Sequence, residues 1–445
     1  MCHNRRPTSR PAKNKSTLLL PVISATLLSL GASGAYASGF QLTEQNASGL
    51  GNAYAGSAAI AENASTIFFN PAGMTRLPGV SMSAGMVLIQ PSFRFSNSGS
   101  TGPGGLPVQS NTGGNAGSLA VLPNAYMSWQ VDPNWFLGLG IGAPFGMSTQ
   151  YSNNWIGRYQ STSFGIETIN INPSIAYKVN DQLSLGAGVN WTHLSADYRR
   201  NVPATGLAPS IALSKLTGKP DLNGKVDLQG DGLGWNLGLL YQATTDTRIG
   251  LSYRSKIRIN ANGTTTLGNL PFGLAARTAN ASTTVTLPDT AIFSVVHDLN
   301  SQWQLLGDVS WTGWSSIPSL DIQNSGGSLP NESLKLKFRD TWRIALGANY
   351  KYSPKWTFKA GVAFDQSPVH DAQYRPTSLP DGNRIWLSLG TQYHFNKHAT
   401  VDVGYAHLFL KNPSINNASD LTKGTVYGSY QASIDMLGVQ VSYRF

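Results

Sequence analysis

Residues 342–352 read WRIALGANYKY, and every second one is apolar: Trp342, Ile344, Leu346, Ala348, Tyr350 and Tyr352. A period of two is the side-chain period of a β-strand. Arg343, Asn349 and Lys351 then point the other way, toward a polar interior. The end of the chain repeats the pattern, with Leu437, Val439, Val441, Tyr443 and Phe445 on one face. Such strands separate hydrocarbon from a hydrated lumen.

Composition points the same way. Only 12% of the 445 residues are charged, against about 25% in ordinary soluble proteins. There are 47 glycines, 11 tryptophans and 17 tyrosines. After the first 35 residues no stretch stays apolar for the roughly 20 residues a membrane helix needs. The leading class is an outer-membrane β-barrel, with a secreted all-β sandwich or solenoid as the competitor.

The N-terminus reads as a signal peptide over residues 1–37. Arg5, Arg6, Arg10, Lys13 and Lys15 form a basic region, Thr17–Leu30 an apolar one, and Ala35-Tyr36-Ala37 a cleavage site. Cleavage removes those five positive charges and lowers the net charge from +10 to +5. The basic pI therefore argues for no nucleic-acid partner. The single cysteine, Cys2, leaves with the leader, so no disulfide framework is expected.

Six tight turns punctuate the rest: Asp132-Pro133-Asn134, Asn180-Asp181, Thr245-Asp246, Asn300-Ser301, Ser353-Pro354 and Asn396-Lys397. Each joins two strands. One strand before the first turn and one after the last bring the total to fourteen. Even strand number and closure leave no unpaired edge in lipid. The expected architecture is an all-β transmembrane, 14-stranded antiparallel barrel over residues 79–445. Residues 38–78, rich in Gly, Ala, Ser and Asn and without alternation, form a small helical hatch plugging the lumen. Asn70-Pro71 begins a helix there, since Asn caps free N–H groups and Pro suits the first turn.

Residues 135–147 depart from the strand pattern. Gly138, Gly140, Gly142, Pro144 and Gly146 oppose an apolar face. Proline cannot donate to a β-ladder, so a kink with a gap in the wall or a simple bulge is expected. Cations at the outer strand ends are candidate holders of a ligand carboxylate: Arg200, and Lys335, Lys337 and Arg339 on the parity of Arg343. Asp365 and Arg384 fall inward. Leu207, Ile211, Leu213 and Leu216 in one outer loop, and Leu267, Leu270, Phe272 and Leu274 in another, suit an apolar ligand. Burial of an acyl chain gains about 0.8 kcal/mol per CH₂. No G-x-S-x-G, H-E-x-x-H or cysteine nucleophile is present, and no enzyme, cofactor or metal site is expected.

SGFQLTEQNASGLGNAYAG (38–56), FFNPAGM (68–74), TWRIALGANYKYSPKWTFKAGVAFDQSPV (341–369) and DGNRIWLSLGTQYHFNKHATVDVGYAH (381–407) closely resemble the FadL family of outer-membrane transporters for long-chain fatty acids and related hydrophobic compounds. The resemblance implies passive uptake by a monomer in the Gram-negative outer membrane. It places a first site in a groove between two outer loops, then a tighter pocket, then lateral exit through a kinked third strand. It assigns the hatch and gate to Phe40, Asn70, Pro71 and Ala72, with Asn70-Pro71-Ala72 against the kink. It aligns the pocket arginine with Arg200, suggests Lys335 or Lys337 as its lysine, and matches Asp365 to an aspartate of the lateral opening. Phe445 resembles the signal read by barrel assembly machinery. Several relatives import toluene-like aromatics, so these remain the alternative substrates.

Overall fold

Every backbone polar group inside a bilayer needs a protein partner, which restricts a strand-built membrane protein to a closed sheet. The computed structural model describes residues 39–207, 218, 220–327 and 329–445, and its strands close on themselves. The expected signal peptide, residues 1–37, and the loop residues Ile211, Leu213 and Leu216 lie outside the described residues.

Fourteen antiparallel strands form the wall. They are β1 (Val80–Asn97), β2 (Ala120–Gln130), β3 (Trp135–Gly142, resumed at Gly146–Gln150), β4 (Ser163–Lys178) and β5 (Leu183–Val202). Next come β6 (Leu222–Gln242), β7 (Thr247–Arg254 and Ile257–Gly268), β8 (Arg277–Leu287 and Thr290–Asp298) and β9 (Trp303–Thr312). The last are β10 (Thr341–Lys351), β11 (Trp356–Asp365), β12 (Arg384–His394), β13 (Ala399–Leu410) and β14 (Val426–Arg444). Closure is the β1–β14 ladder, running from Ser81 opposite Arg444 to Asn97 opposite Gly428. The six tight turns join strands where the turn chemistry expected them. On the outer side, a hairpin of Ser319–Ser325 and Glu332–Lys335 rises from the wall and pairs with β8.

Alternation sorts the faces as read from the sequence. Trp342, Ile344, Leu346 and Tyr352 are exposed to the surroundings, while Arg343 and Asn349 are buried. Aromatic pairs gather beside the tight turns: Trp135–Tyr177, Trp303–Tyr350 and Trp356–Tyr393, at 4.6, 4.7 and 4.6 Å. They form one interfacial girdle of an outer-membrane barrel.

Gly39–Gly79 fills the tight-turn half of the lumen, where most of its residues are buried. It holds short helical turns at Leu50–Asn52, Thr66–Phe69 and Pro71–Arg76. Asn70 caps the last, accepting from the Ala72 N–H, with Pro71 in the first turn. Charged wall residues hold this segment in place. Lys359 Nζ meets Glu62 at 2.8 Å, Asp402 at 3.1 Å and the Ser48 carbonyl at 3.0 Å. Ser57 Oγ donates to Asp308 at 2.8 Å, and Arg248 donates to the Ala59 and Ile60 carbonyls.

Glycine in the wall marks where hatch backbone touches it. A Cβ on Gly361 would lie 2.2 Å from the Asn52 carbonyl carbon, and one on Gly250 2.0 Å from the Ala58 oxygen. Neither neighbour is a flexible side-chain end that could give way. Gly361→Val should therefore leave the barrel closed while displacing the hatch. The expected result is an unchanged heat shift of the folded barrel on a gel, with hatch peptides released by limited proteolysis; a protected hatch would contradict the packing argument.

Candidate functional site

Pro144 breaks the third strand. The β2–β3 ladder ends at Ala125 opposite Ile141, and the strand resumes only at Gly146. Beyond the break, Gly146–Gln150 pairs with β4 on one side. The other edge, where β2 would continue, is met by the start of the hatch. Leu42 N–H donates to the Pro144 carbonyl at 2.8 Å, Gly146 N–H donates to the Phe40 carbonyl at 2.9 Å, and Gln41 pairs with Phe145. Gln45 Nε2 donates to the Ala143 carbonyl at 2.8 Å. The hatch thus stands in for a missing piece of strand. Gly138 and Gly142 leave room inside for Met74 and Gln45.

This corrects one expectation. Asn70-Pro71-Ala72 does not sit against the kink but against a second glycine window, Gly186 of β5 and Gly238 of β6. Asn70 Nδ2 donates to the Leu239 and Ala58 carbonyls at 2.9 and 2.7 Å. The helix that begins there reaches β3 through Met74, at Gly138. Linear distance from Phe40 explains the miss, since thirty residues of compact hatch separate the two contacts.

Above the break lies an apolar pocket of about 130 Å³. Phe40 lines it, with Phe164, Ile166, Leu194, Tyr198, Val226, Leu228, Val285, Leu320, Ile322 and Leu334. Phe40 packs edge-on against Trp314 at 4.8 Å and Phe145 at 6.0 Å, so one ring touches both the pocket and the broken strand. A second chamber of about 150 Å³ lies beside it, lined by Arg200, Val202, Leu222, Leu267, Arg277, Leu329 and Pro330. Tyr198, Val226 and Glu332 border both.

Four charges cluster at that border. Arg200 grips Glu332 with both Nη2 (2.9 Å) and Nε (3.3 Å). Lys423 reaches the same carboxylate at 3.4 Å and Asp420 at 3.6 Å. Burial opposes the charge on Glu332, but Arg200 and Lys423 hold its carboxyl below the usual range. Arg200 therefore faces inward on the expected parity, and the second cation is one that sequence reading missed. Lys423 sits in a loop after β13 with no alternation around it; only its spacing from Asp420 was visible.

Lys335, Lys337 and Arg339 do not line the pocket; all three are exposed. Lys337 takes a positive φ of 45°, and the N–H groups of Leu336 and Lys337 both donate to the Pro318 carbonyl. Residues 336–340 are not strand, and the parity counted back from Arg343 slips between Phe338 and Thr341, so Leu336 and Phe338 turn inward instead. Lys337 rests on the Tyr374 ring, 4.3 Å from its centroid, and Arg339 donates to the Ser367 carbonyl. Asp365 is buried on β11 against Arg384, at 3.9 Å, rather than at the strand break. In the loop groove, Leu267 lines the outer chamber. Leu270 is buried, while Phe272 and Leu274 are exposed at the loop tip. Leu207 closes a short helical turn, Ala204–Leu207. Among the described residues no group of three His, Cys, Asp or Glu is placed to hold a metal ion.

A closed 14-stranded barrel with a plugged lumen and an enclosed apolar pocket is an outer-membrane transport barrel for hydrophobic compounds. The chain belongs to the family described as outer membrane protein transport protein (OMPP1/FadL/TodX), whose model matches residues 28–445. It is 33% identical over 420 residues to the long-chain fatty acid transport protein of Escherichia coli O6:H1, covering 89% of this chain and 92% of that one. It is 32% identical over 457 residues to outer membrane protein P1 of Haemophilus influenzae, covering 95% and 98%. A crystal structure of a Pseudomonas aeruginosa FadL homologue superposes with a TM-score of 0.81 at 27% identity, covering 92% of this chain and all of that one. The Ralstonia pickettii toluene transporter TbuX shares the fold at a TM-score of 0.65 and 21% identity, covering 92% and 99%.

One hatch group titrates in an accessible range. Glu44 is fully buried, and neither carboxylate oxygen meets a donor from another residue. Burial pushes its carboxyl up to about 7, against the pull of Arg384 and Arg343. The folded hatch then holds this proton more tightly than the free segment does. Its docking should weaken as pH rises from the ordinary value of 4.5 through about 7. Hydrogen exchange of hatch amides measured across that window should show the trend, and Glu44→Gln should flatten it.

Proposed function

We propose that the chain takes up long-chain fatty acids passively. The acid enters the outer chamber, seats its carboxylate between Arg200 and Lys423 with its chain in the apolar pocket, and leaves sideways through the break in β3 when the Phe40–Gln45 segment moves. The observation that carries this reading is the Glu332 carboxylate, which already occupies a two-cation cradle at the mouth of a hydrocarbon pocket. A charged acceptor gripped this way contributes about 1.5–3 kcal/mol. The relatives named as long-chain fatty acid transport proteins support the same substrate class.

A second reading, uptake of uncharged aromatic hydrocarbons, draws support from the same cluster. With Glu332 in place the cations are already compensated, which suits a ligand without charge. Removing the cradle separates the two. Arg200→Ala and Lys423→Ala should each weaken palmitate binding roughly tenfold or more, while methyl palmitate binding stays within about twofold. Equal losses for both ligands would remove the carboxylate reading and favour the second.

The lateral route has its own test. Gln41 and Phe145 face each other between the Leu42–Pro144 and Phe40–Gly146 hydrogen bonds. This is the narrow, non-hydrogen-bonded type of antiparallel pair, with Cα atoms about 4.5 Å apart, inside disulfide range. The mature chain has no cysteine of its own. Gln41→Cys with Phe145→Cys should oxidise to a staple that stops uptake, and reductant should restore it. Uptake unchanged in the fully oxidised protein would exclude exit through this break.

A further inference from the structure

We propose that Glu332 is an internal stand-in for the ligand's head group, exchanged for the incoming carboxylate as the chain passes from the outer chamber to the inner pocket. The inference rests on the carboxylate reading above and adds a specificity-determining residue to it.

Three observations carry it. The first is position. Glu332 borders both chambers and its bridge to Arg200 lies between them. Each chamber, at about 130 and 150 Å³, is smaller than the roughly 300–1,000 Å³ of common ligand sites. A long acyl chain must therefore extend past this bridge.

The second is charge. Arg200 and Lys423 balance Glu332 and Asp420; Asp197 also lines the inner pocket, and Lys225 and Arg277 line the outer chamber. A carboxylate added beside Glu332 would leave the cluster with excess negative charge in a half-buried setting. A carboxylate that replaces Glu332 keeps it neutral. Like-for-like exchange also spares the cations a stage without a partner, which is the costly state for a buried charge.

The third is freedom to move. Glu332 begins a four-residue strand, Glu332–Lys335, which pairs with Ser319–Ile322 on the hairpin's other arm, Glu332 opposite Ile322. That arm, not the Glu332 segment, is the one laddered to β8. Short, one-sided strands lie at the low end of local stability. The side chain can leave the cradle without disturbing the barrel ladders.

An exchangeable carboxylate makes the protein discriminate by displacement. An anionic amphiphile competes with Glu332 for the cations; an uncharged chain does not, and meets the closed bridge. The experiment is equilibrium binding of palmitate and methyl palmitate to the purified barrel in detergent, for wild type, Glu332→Gln, Glu332→Asp and Arg200→Ala. Removing the competitor in Glu332→Gln should tighten palmitate binding roughly tenfold and leave the palmitate-to-ester preference larger than in wild type. Glu332→Asp, whose shorter side chain weakens the bridge while keeping the charge, should fall between and serves if the Gln variant does not assemble. Weaker or unchanged palmitate binding in these variants, with Arg200→Ala still lowering it, would overturn the exchange alone. Loss of palmitate preference in no variant, Arg200→Ala included, would overturn the carboxylate reading and the exchange with it.

Discussion

The structure depends on how the broken edge of β3 is satisfied. Between Gly142 and Gly146 the wall loses its regular ladder, and the β2 strand no longer covers the carbonyl of Pro144 or the N–H of Gly146. In hydrocarbon such groups are expensive to leave alone. Leu42 and Phe40 supply the two missing hydrogen bonds. The first residues of the hatch therefore complete the hydrogen bonding of the wall at this place.

Elsewhere the hatch is held differently. Side chains of Lys359, Asp308, Arg248 and Asn70 meet backbone or buried polar groups, and wall glycines allow backbone contact. These contacts surround the body of the hatch, residues 48–72. Its first few residues are tied to β3, through Phe40 to Trp314 and Phe145, and through Gly39 and Gln41 to Asp381, Thr290 and Thr312. Firm anchoring of the body with separate attachment of the leading segment suits a route in which only that segment moves.

Much of the fold was legible in the sequence because alternation, turn residues and closure each have a local signature. Trp342–Tyr352 and Leu437–Phe445 declare their faces by period alone, and Pro144 declares a break. Arg200 was legible for the same reason: it lies on an uninterrupted strand counted from Asn190 and Thr192. Lys335, Lys337 and Arg339 misled because residues 336–340 leave the strand and the parity slips between Phe338 and Thr341, and no residue type there signals it. Lys423 and Glu332 were hidden because their pairing joins segments 91 residues apart in sequence. Asn70-Pro71-Ala72 was recognisable as a helix start, but its partners Gly186 and Gly238 look like any other wall glycines until the hatch is seen against them.

The ring of Phe40 carries a thermodynamic consequence. It lines the apolar pocket, and the carbonyl of the same residue helps close β3. In the proposed route, pocket occupancy and wall closure therefore share one residue and cannot be tuned independently. A ligand that needs the space of that ring binds only the fraction of molecules in which the leading segment has let go, so its measured affinity is the intrinsic one reduced by that fraction. Weak apparent binding is then a property of a well-sealed wall rather than of a poor pocket. Any change that tightens the seal would raise the ligand concentration at which uptake begins.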